Sequence, residues 1–192
     1  MDDHGETLLF LGDSITQAGD WGTWFPDVRT VNHGVGGDKT TDVIERLDRV
    51  VAEQPDSIAL LIGTNDFGNR ATTEQVVRGT ETIMVTLRRD LPGARLLLQS
   101  IMPRGREYAD RIRDANRHLR QFSSTVRAQF LDLWPALALE DGELDPQYSD
   151  DRLHLNAAGY EAWLGELRPA LERLADAPPM SRPISIINPS EA

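Results

Sequence analysis

Five short apolar runs, each followed by polar turn residues and then an amphipathic segment, leave this chain few ways to fold. The runs lie at 8–11, 28–32, 58–62, 95–100 and 130–133. Four to six mostly apolar residues bounded by turn formers suit strands buried on both faces. The run at 28–32 is the weakest, because charged and polar residues interrupt it. Between the runs the apolar residues recur at three- and four-residue steps, which places them on one helix face. Residues 41–54 carry Val43, Ile44, Leu47, Val50 and Val51; residues 73–91 carry Val76, Val77, Thr80, Ile83, Leu87 and Leu91. Thr72-Thr73-Glu74-Gln75 resembles a capped helix start and Pro92-Gly93 a stop. Helices are likewise predicted over 108–126, on Ile112, Ala115, Leu119, Phe122 and Val126, and over 157–174, on Tyr160, Leu164, Leu167 and Leu171.

Strands alternating with helices of this length predict an α/β domain, three-layered α/β/α, with a flavodoxin-like, mainly parallel five-stranded sheet over 1–176. In such sheets ligands sit beyond the carboxyl ends of the strands. Three prolines within seven residues after Asp176 block helix and disfavour a central strand, so 177–192 reads as a Pro-rich tail, loose or packed along a neighbour.

Twenty basic against 31 acidic side chains give a net charge of -11. So negative a surface repels phosphate backbones and anionic headgroups, which argues against nucleic acid and direct membrane docking. No basic n-region precedes an apolar stretch, and the run at 7–11 is far too short to cross a bilayer, so the sequence as written reads as cytoplasmic. With no cysteine there is no disulfide, thiolate metal site or cysteine nucleophile. His4, His33 and His118 are scattered and no ligand cluster appears, so neither metal nor cofactor is expected.

Four stretches carry residues able to do chemistry, each just after an expected strand or in the last loop. Gly12-Asp13-Ser14-Ile15-Thr16 sets a serine at a strand's carboxyl end, though Asp13 or Ser14 would serve equally as a helix cap. It is not a Gly-x-Ser-x-Gly elbow, because Thr16 stands in the place of the second glycine. Asn32-His33-Gly34-Val35-Gly36-Gly37-Asp38-Lys39-Thr40 looks like a phosphate cradle but fails both tests. Asp38 separates Gly37 from Lys39, and Lys39 stands where a dinucleotide fingerprint needs glycine. What survives is a glycine-rich turn whose N–H groups can approach a ligand, or simply a turn needing positive φ. Gly63-Thr64-Asn65-Asp66 offers the Asn65 amide as a donor, or ordinary turn chemistry. Asp151-Arg152-Leu153-His154 brings a carboxylate within reach of imidazole Nδ1, freeing Nε2 to take a serine proton; Asp150 is a rival orienter.

Together these blocks, in this order, resemble the four motifs of the GDSL/SGNH hydrolases over about residues 8–170, with Ile15 replacing the family's leucine in the first motif. Asn32-x-Gly-x-Gly-Gly-Asp, Gln99-Ser100-Ile101-Met102-Pro103-Arg104-Gly105 and His154-Leu155-Asn156 are similar to the branch of lysophospholipase L1-like esterases and platelet-activating-factor acetylhydrolase catalytic subunits. The resemblance implies a serine esterase. Ser14, Asp151 and His154 would be catalytic, and Ser14, Gly37 and Asn65 would form the oxyanion hole. It also leaves a homodimer open, with the apolar residues 184–187 lying on a second subunit.

The small-molecule ester itself is less constrained. No insertion is long enough to build a lid, which favours short acyl groups, chiefly acetyl. Asp13, Trp21, Phe67, Met102 and Tyr148, with Trp24 nearby, are the candidate substrate-binding residues; the aromatics among them would equally serve as packing. Thioesterase or lysophospholipase action on longer chains and acyl transfer are the related alternatives. A non-catalytic binding module is the contrasting one, although it has no need of the full residue set.

Overall fold

A computed structural model describes residues 5–177, so the tail expected at 177–192 falls, Ala177 apart, outside the described residues. Five strands form one sheet in the order β2-β1-β3-β4-β5, every adjacent pair parallel. They are β1 (Thr7–Gly12), β2 (Arg29–Gly34), β3 (Ser57–Leu61), β4 (Arg95–Gln99) and β5 (Gln129–Leu131). All residues of β1 and β3 are buried, as unbroken apolar runs in a parallel sheet should be. The weakness of the second run now has its reason: β2 is an edge strand, with no fully buried residue.

The chain runs from β1 outward to β2, then returns past β1 to β3. Right-handed crossovers must then lay the first connection on one face of the sheet and the next three on the other, and the packing follows that rule. The first connection holds two short helices, α1 (Ser14–Gln17) and α2 (Trp21–Trp24). Their Ile15 and Trp21 pack with Leu8, Phe10, Ala59 and Leu97. On the opposite face lie α3 (Thr40–Glu45), α4 (Leu47–Ala52), α5 (Thr64–Gly68), α6 (Thr73–Asp90) and α7 (Ala109–Ser123). There Val43, Val50, Ile83 and Ile112 meet Leu9, Leu11, Leu60 and Leu98. The period-two alternation of each strand thus feeds two separate cores. After β5, α8 (Trp134–Leu137) leads to α9 (Ala157–Asp176), which returns to the first face and buries Trp163 and Leu167.

The structure departs from the sequence expectations in two ways. The helix expected over 41–54 is two helices, broken at Arg46, which has φ -115°. The apolar stripe is the same for one helix or two, so periodicity is blind to the break. Helices α1, α2, α5 and α8 were not foreseen, since four or five residues are too few to display a period. By contrast, the capping box at Thr72 forms as the sequence suggests, with Thr72 and Gln75 exchanging backbone-to-side-chain bonds.

One buried cation ties the far end of the molecule together. Arg88 of α6, only 5% exposed, donates to the carbonyls of Val126, Pro92, Ala94 and Arg127. Burial pulls its guanidinium pKa below the usual arginine value, with the Arg127 charge adding to the effect. Arg88→Met keeps the apolar stem but strands these carbonyls, and should lower the unfolding free energy by about 3 kcal/mol. A urea midpoint that did not move would show that water takes the guanidinium's place.

Candidate active site

Strand β1 ends at Gly12, where a Cβ would come within 2.3 Å of both the Leu61 carbonyl and the Thr16 hydroxyl. Only glycine lets α1 begin at once above the sheet. Asp13 caps that helix, accepting from Ile15 N–H at 3.0 Å, and Ser14 is its first residue. From α9, the Tyr160 hydroxyl donates to the Ile15 carbonyl at 2.7 Å and pins the turn from the other side. Burial, with the Asp13 charge adding, pushes that phenol up to about 12, so it stays a donor.

Ser14 Oγ lies 3.1 Å from His154 Nε2, and His154 Nδ1 lies 2.7 Å from Asp151 Oδ2. An ionised carboxylate can only accept, so Nδ1 carries the ring proton and Nε2 accepts from the serine hydroxyl. The other carboxylate oxygen accepts from the backbone N–H of His154 and Leu153, and from the hydroxyl of buried Ser149. The His154 hydrogen bond above all, with these backbone bonds, holds the Asp151 carboxyl far below the usual range. This compact loop needs Arg152 in the left-handed region, at φ 62°, an uncommon conformation for a non-glycine residue. Asp150 is exposed, and the carboxylate bonded to the ring is that of Asp151.

Two more loops meet Ser14 across neighbouring strand ends. Gly37 follows β2 with φ 84°, where a Cβ would be strained although nothing stands within 4 Å of it. Next to it, a Cβ on Gly36 would lie 3.9 Å from Ser14 Cβ, so this turn passes directly beside the serine. Asn65 follows β3 in α5; its Nδ2 donates one hydrogen to the Asp38 carbonyl at 3.0 Å, leaving a second for a ligand. Asp66 accepts from Thr40 N–H and, at 2.6 Å, from the Thr40 hydroxyl, tying α5 to α3.

The candidate substrate residues fare differently. Trp21 is 2% exposed, stacked on Phe10 at 3.7 Å and edge-on to Trp163, and Phe67 is 1% exposed in the opposite core. Both are corrected to core residues, because neither presents a face to a ligand. The Asp13 carboxylate is buried and caps α1, so it is a structural group, though it borders the same small cavity as Met102. Tyr148 and Trp24 are half-buried and pack on the α9 side. Met102 is buried but lines a cavity of about 10 Å³ with Ile15, Thr64 and Ile101. Ile15 and Thr64 adjoin Ser14 and Asn65 in the sequence.

Asp13 carries a measurable consequence. Burial, reinforced by the nearby Asp38 and Asp66 charges, raises its pKa from 3.8 to about 6, against the lowering effects of Ile15 N–H and His154. The folded chain therefore holds this proton more tightly than the unfolded one. Stability from this group is full below about pH 4 and is lost as pH rises through about 6. Asparagine caps as well as aspartate and does not titrate. Relative to Asp13→Asn, the wild type should lose on the order of 3 kcal/mol of unfolding free energy between pH 4 and pH 7. A difference that stays flat across that window would mean that Asp13 ionises normally.

Residues 10–162 match the GDSL-like Lipase/Acylhydrolase family. Platelet-activating factor acetylhydrolase IB subunit alpha1 of Bos taurus is 31% identical over 178 residues, covering 87% of this chain and 75% of that protein. Among solved structures, a GDSL-like lipase from Bacteroides thetaiotaomicron superposes with a TM-score of 0.76 at 19% identity, over 88% of each chain. An acetylxylan esterase from Geobacillus stearothermophilus does so at 0.72 and 20% identity, covering 93% of this chain and 98% of that one. Both structures share this fold. From the extent of the family match, the chain belongs to the GDSL-like lipase/acylhydrolase family and is a carboxylic ester hydrolase.

Proposed function

We propose that this hydrolase cleaves short-chain acyl esters, acetyl esters first among them, through an acyl-Ser14 intermediate. The observation that carries the reading is the unbroken line from Ser14 Oγ through His154 to Asp151, at 3.1 and 2.7 Å. His154 Nε2 takes the hydroxyl proton as Ser14 Oγ bonds to the ester carbonyl carbon. Charge developing on the carbonyl oxygen is met by the N–H groups of Ser14 and Gly37 and by the free Asn65 amide hydrogen. The carbon–alkoxy bond then breaks, the alcohol leaves with the proton from His154, and water repeats the sequence to release the acid and restore Ser14. Asp151 holds the ring in the required tautomer and stabilises its positive charge.

The space between Ile15, Thr64 and Met102, neighbours in the chain of Ser14, Asn65 and Ile101, is only about 10 Å³, near the size of one water molecule, and Ser14 does not itself line it. Packing this tight around the strand ends supports a small acyl group rather than a long chain. The names of two similar proteins, an acetylhydrolase subunit and an acetylxylan esterase, point to acetyl esters as well. His154 is about half exposed, so the alcohol side of the site is open to a larger group.

Hydrolysis of p-nitrophenyl acetate, butyrate and octanoate tests the reading. Activity should fall with chain length and disappear in Ser14→Ala. A preference for octanoate would move the enzyme to thioesterase or lysophospholipase chemistry, and full activity in Ser14→Ala would remove the acyl-serine route. Asn65→Ala should lower kcat by about two to three orders of magnitude, the usual effect of one lost oxyanion donor. An unchanged kcat would take Asn65 out of the oxyanion hole.

A further inference from the structure

The break between α3 and α4 has a counterpart in the site. Arg46, at the break, turns its side chain back under the strand ends instead of outward, and only 15% of it is exposed. Nη2 donates to the Gly12 carbonyl at 3.1 Å and to the His33 carbonyl at 2.9 Å, the ends of β1 and β2. Nε donates at 2.7 Å to Asp38 Oδ2, whose side chain is 12% exposed. Asp38 follows Gly37, and its own carbonyl accepts the Asn65 amide at 3.0 Å. One guanidinium therefore bonds the chain two residues before Ser14 and the residue that fixes Asn65.

Surface ion pairs rarely hold anything in place. This one is nearly shielded from water, and a planar fork with several directed donors fixes position as well as distance. Asn69 holds the Asn65 carbonyl, but among the described residues the Asn65 side chain has only its bond to the Asp38 carbonyl. Its amide is oriented through the Asp38 carbonyl, and the carboxylate of the same residue is clamped by Arg46. A donor that drifts by about 1 Å loses most of its effect on the transition state and little on ground-state binding.

We propose that Arg46 is a positioning residue for the Asn65 donor: by clamping Asp38 to the ends of β1 and β2 it fixes the carbonyl that aims the Asn65 amide at the ester oxygen. The inference rests on the acyl-Ser14 reading, and the experiment separates the two. Arg46→Met should lower kcat for p-nitrophenyl acetate by about 10- to 100-fold while KM moves less than about threefold. Arg46→Lys, which keeps the charge but not the fork, should recover part of that loss. The decisive comparison repeats Arg46→Met in an Asn65→Ala background. If Arg46 acts through Asn65, the second substitution should cost less than about threefold there. Rates are compared well below each variant's melting temperature, so that a folding defect does not pass for a catalytic one. Should Arg46→Met fail to fold, Arg46→Lys and Asp38→Asn, each combined with Asn65→Ala, make the same comparison.

A loss of the same size in both backgrounds would overturn the proposal, as would a lowered melting temperature with unchanged kcat. Either result alongside an inactive Ser14→Ala would leave the acyl-serine reading standing. An active Ser14→Ala would remove that reading and the role of Arg46 with it.

Discussion

A strand flanked by neighbours on both sides and covered on both faces has little room for polar side chains, and β1, polar only at Thr7, is such a strand. Every residue from Thr7 to Gly12 is buried, so the first position free to carry chemistry is the one where the strand stops. The chain's reversal places β2 on one side of β1 and β3 on the other, which splits the loops at their carboxyl ends into a crevice. Ser14, Gly37 and Asn65 lie two, three and four residues past those three ends. The site stands where it does because the central strand leaves no alternative.

Rigidity around the crevice comes from groups that never touch a substrate. Gly12 allows α1 to start without a gap, Asp13 caps it, and Tyr160 holds its first turn from α9. Ser149 and the left-handed Arg152 fold the Asp151–His154 loop so that one carboxylate oxygen is committed to the backbone and the other to the ring. Asp13 shows what this costs: a carboxylate held out of water beneath Ser14, its pKa raised by burial in spite of the capping bond from Ile15 N–H. Such local strain is common at functional sites, where the surrounding fold over-determines the geometry.

The fold class was legible from the sequence because strands buried on both faces leave short unbroken apolar runs and amphipathic helices leave a three- to four-residue period, and both survive in one dimension. The serine, glycine, asparagine and Asp-x-x-His blocks were legible for a related reason: each directly follows a strand or precedes a helix, so sequence position nearly fixes spatial position. The aromatics were not. Trp21 and Phe67 lie in loop-proximal segments that look open along the chain, and only the short helices α2 and α5 turn them inward. A four-residue helix leaves no periodic trace, so burial there cannot be read from spacing.

The sequence by itself determined the alternation of strands and helices, the two apolar faces and the residue types at the strand ends. These depend on local propensity and on the period of side-chain direction. The residues alone left Asp150 as a rival to Asp151, which the resemblance named; the structure shows why Asp151 meets His154, through the left-handed Arg152 and the Ser149 hydroxyl beneath the loop. Tertiary structure alone decided that α3 and α4 are separate, and that Arg46 links β1, β2 and Asp38. The Arg46 contacts join residues 8 to 34 positions apart through side-chain reach and backbone carbonyls, neither of which leaves a pattern in sequence.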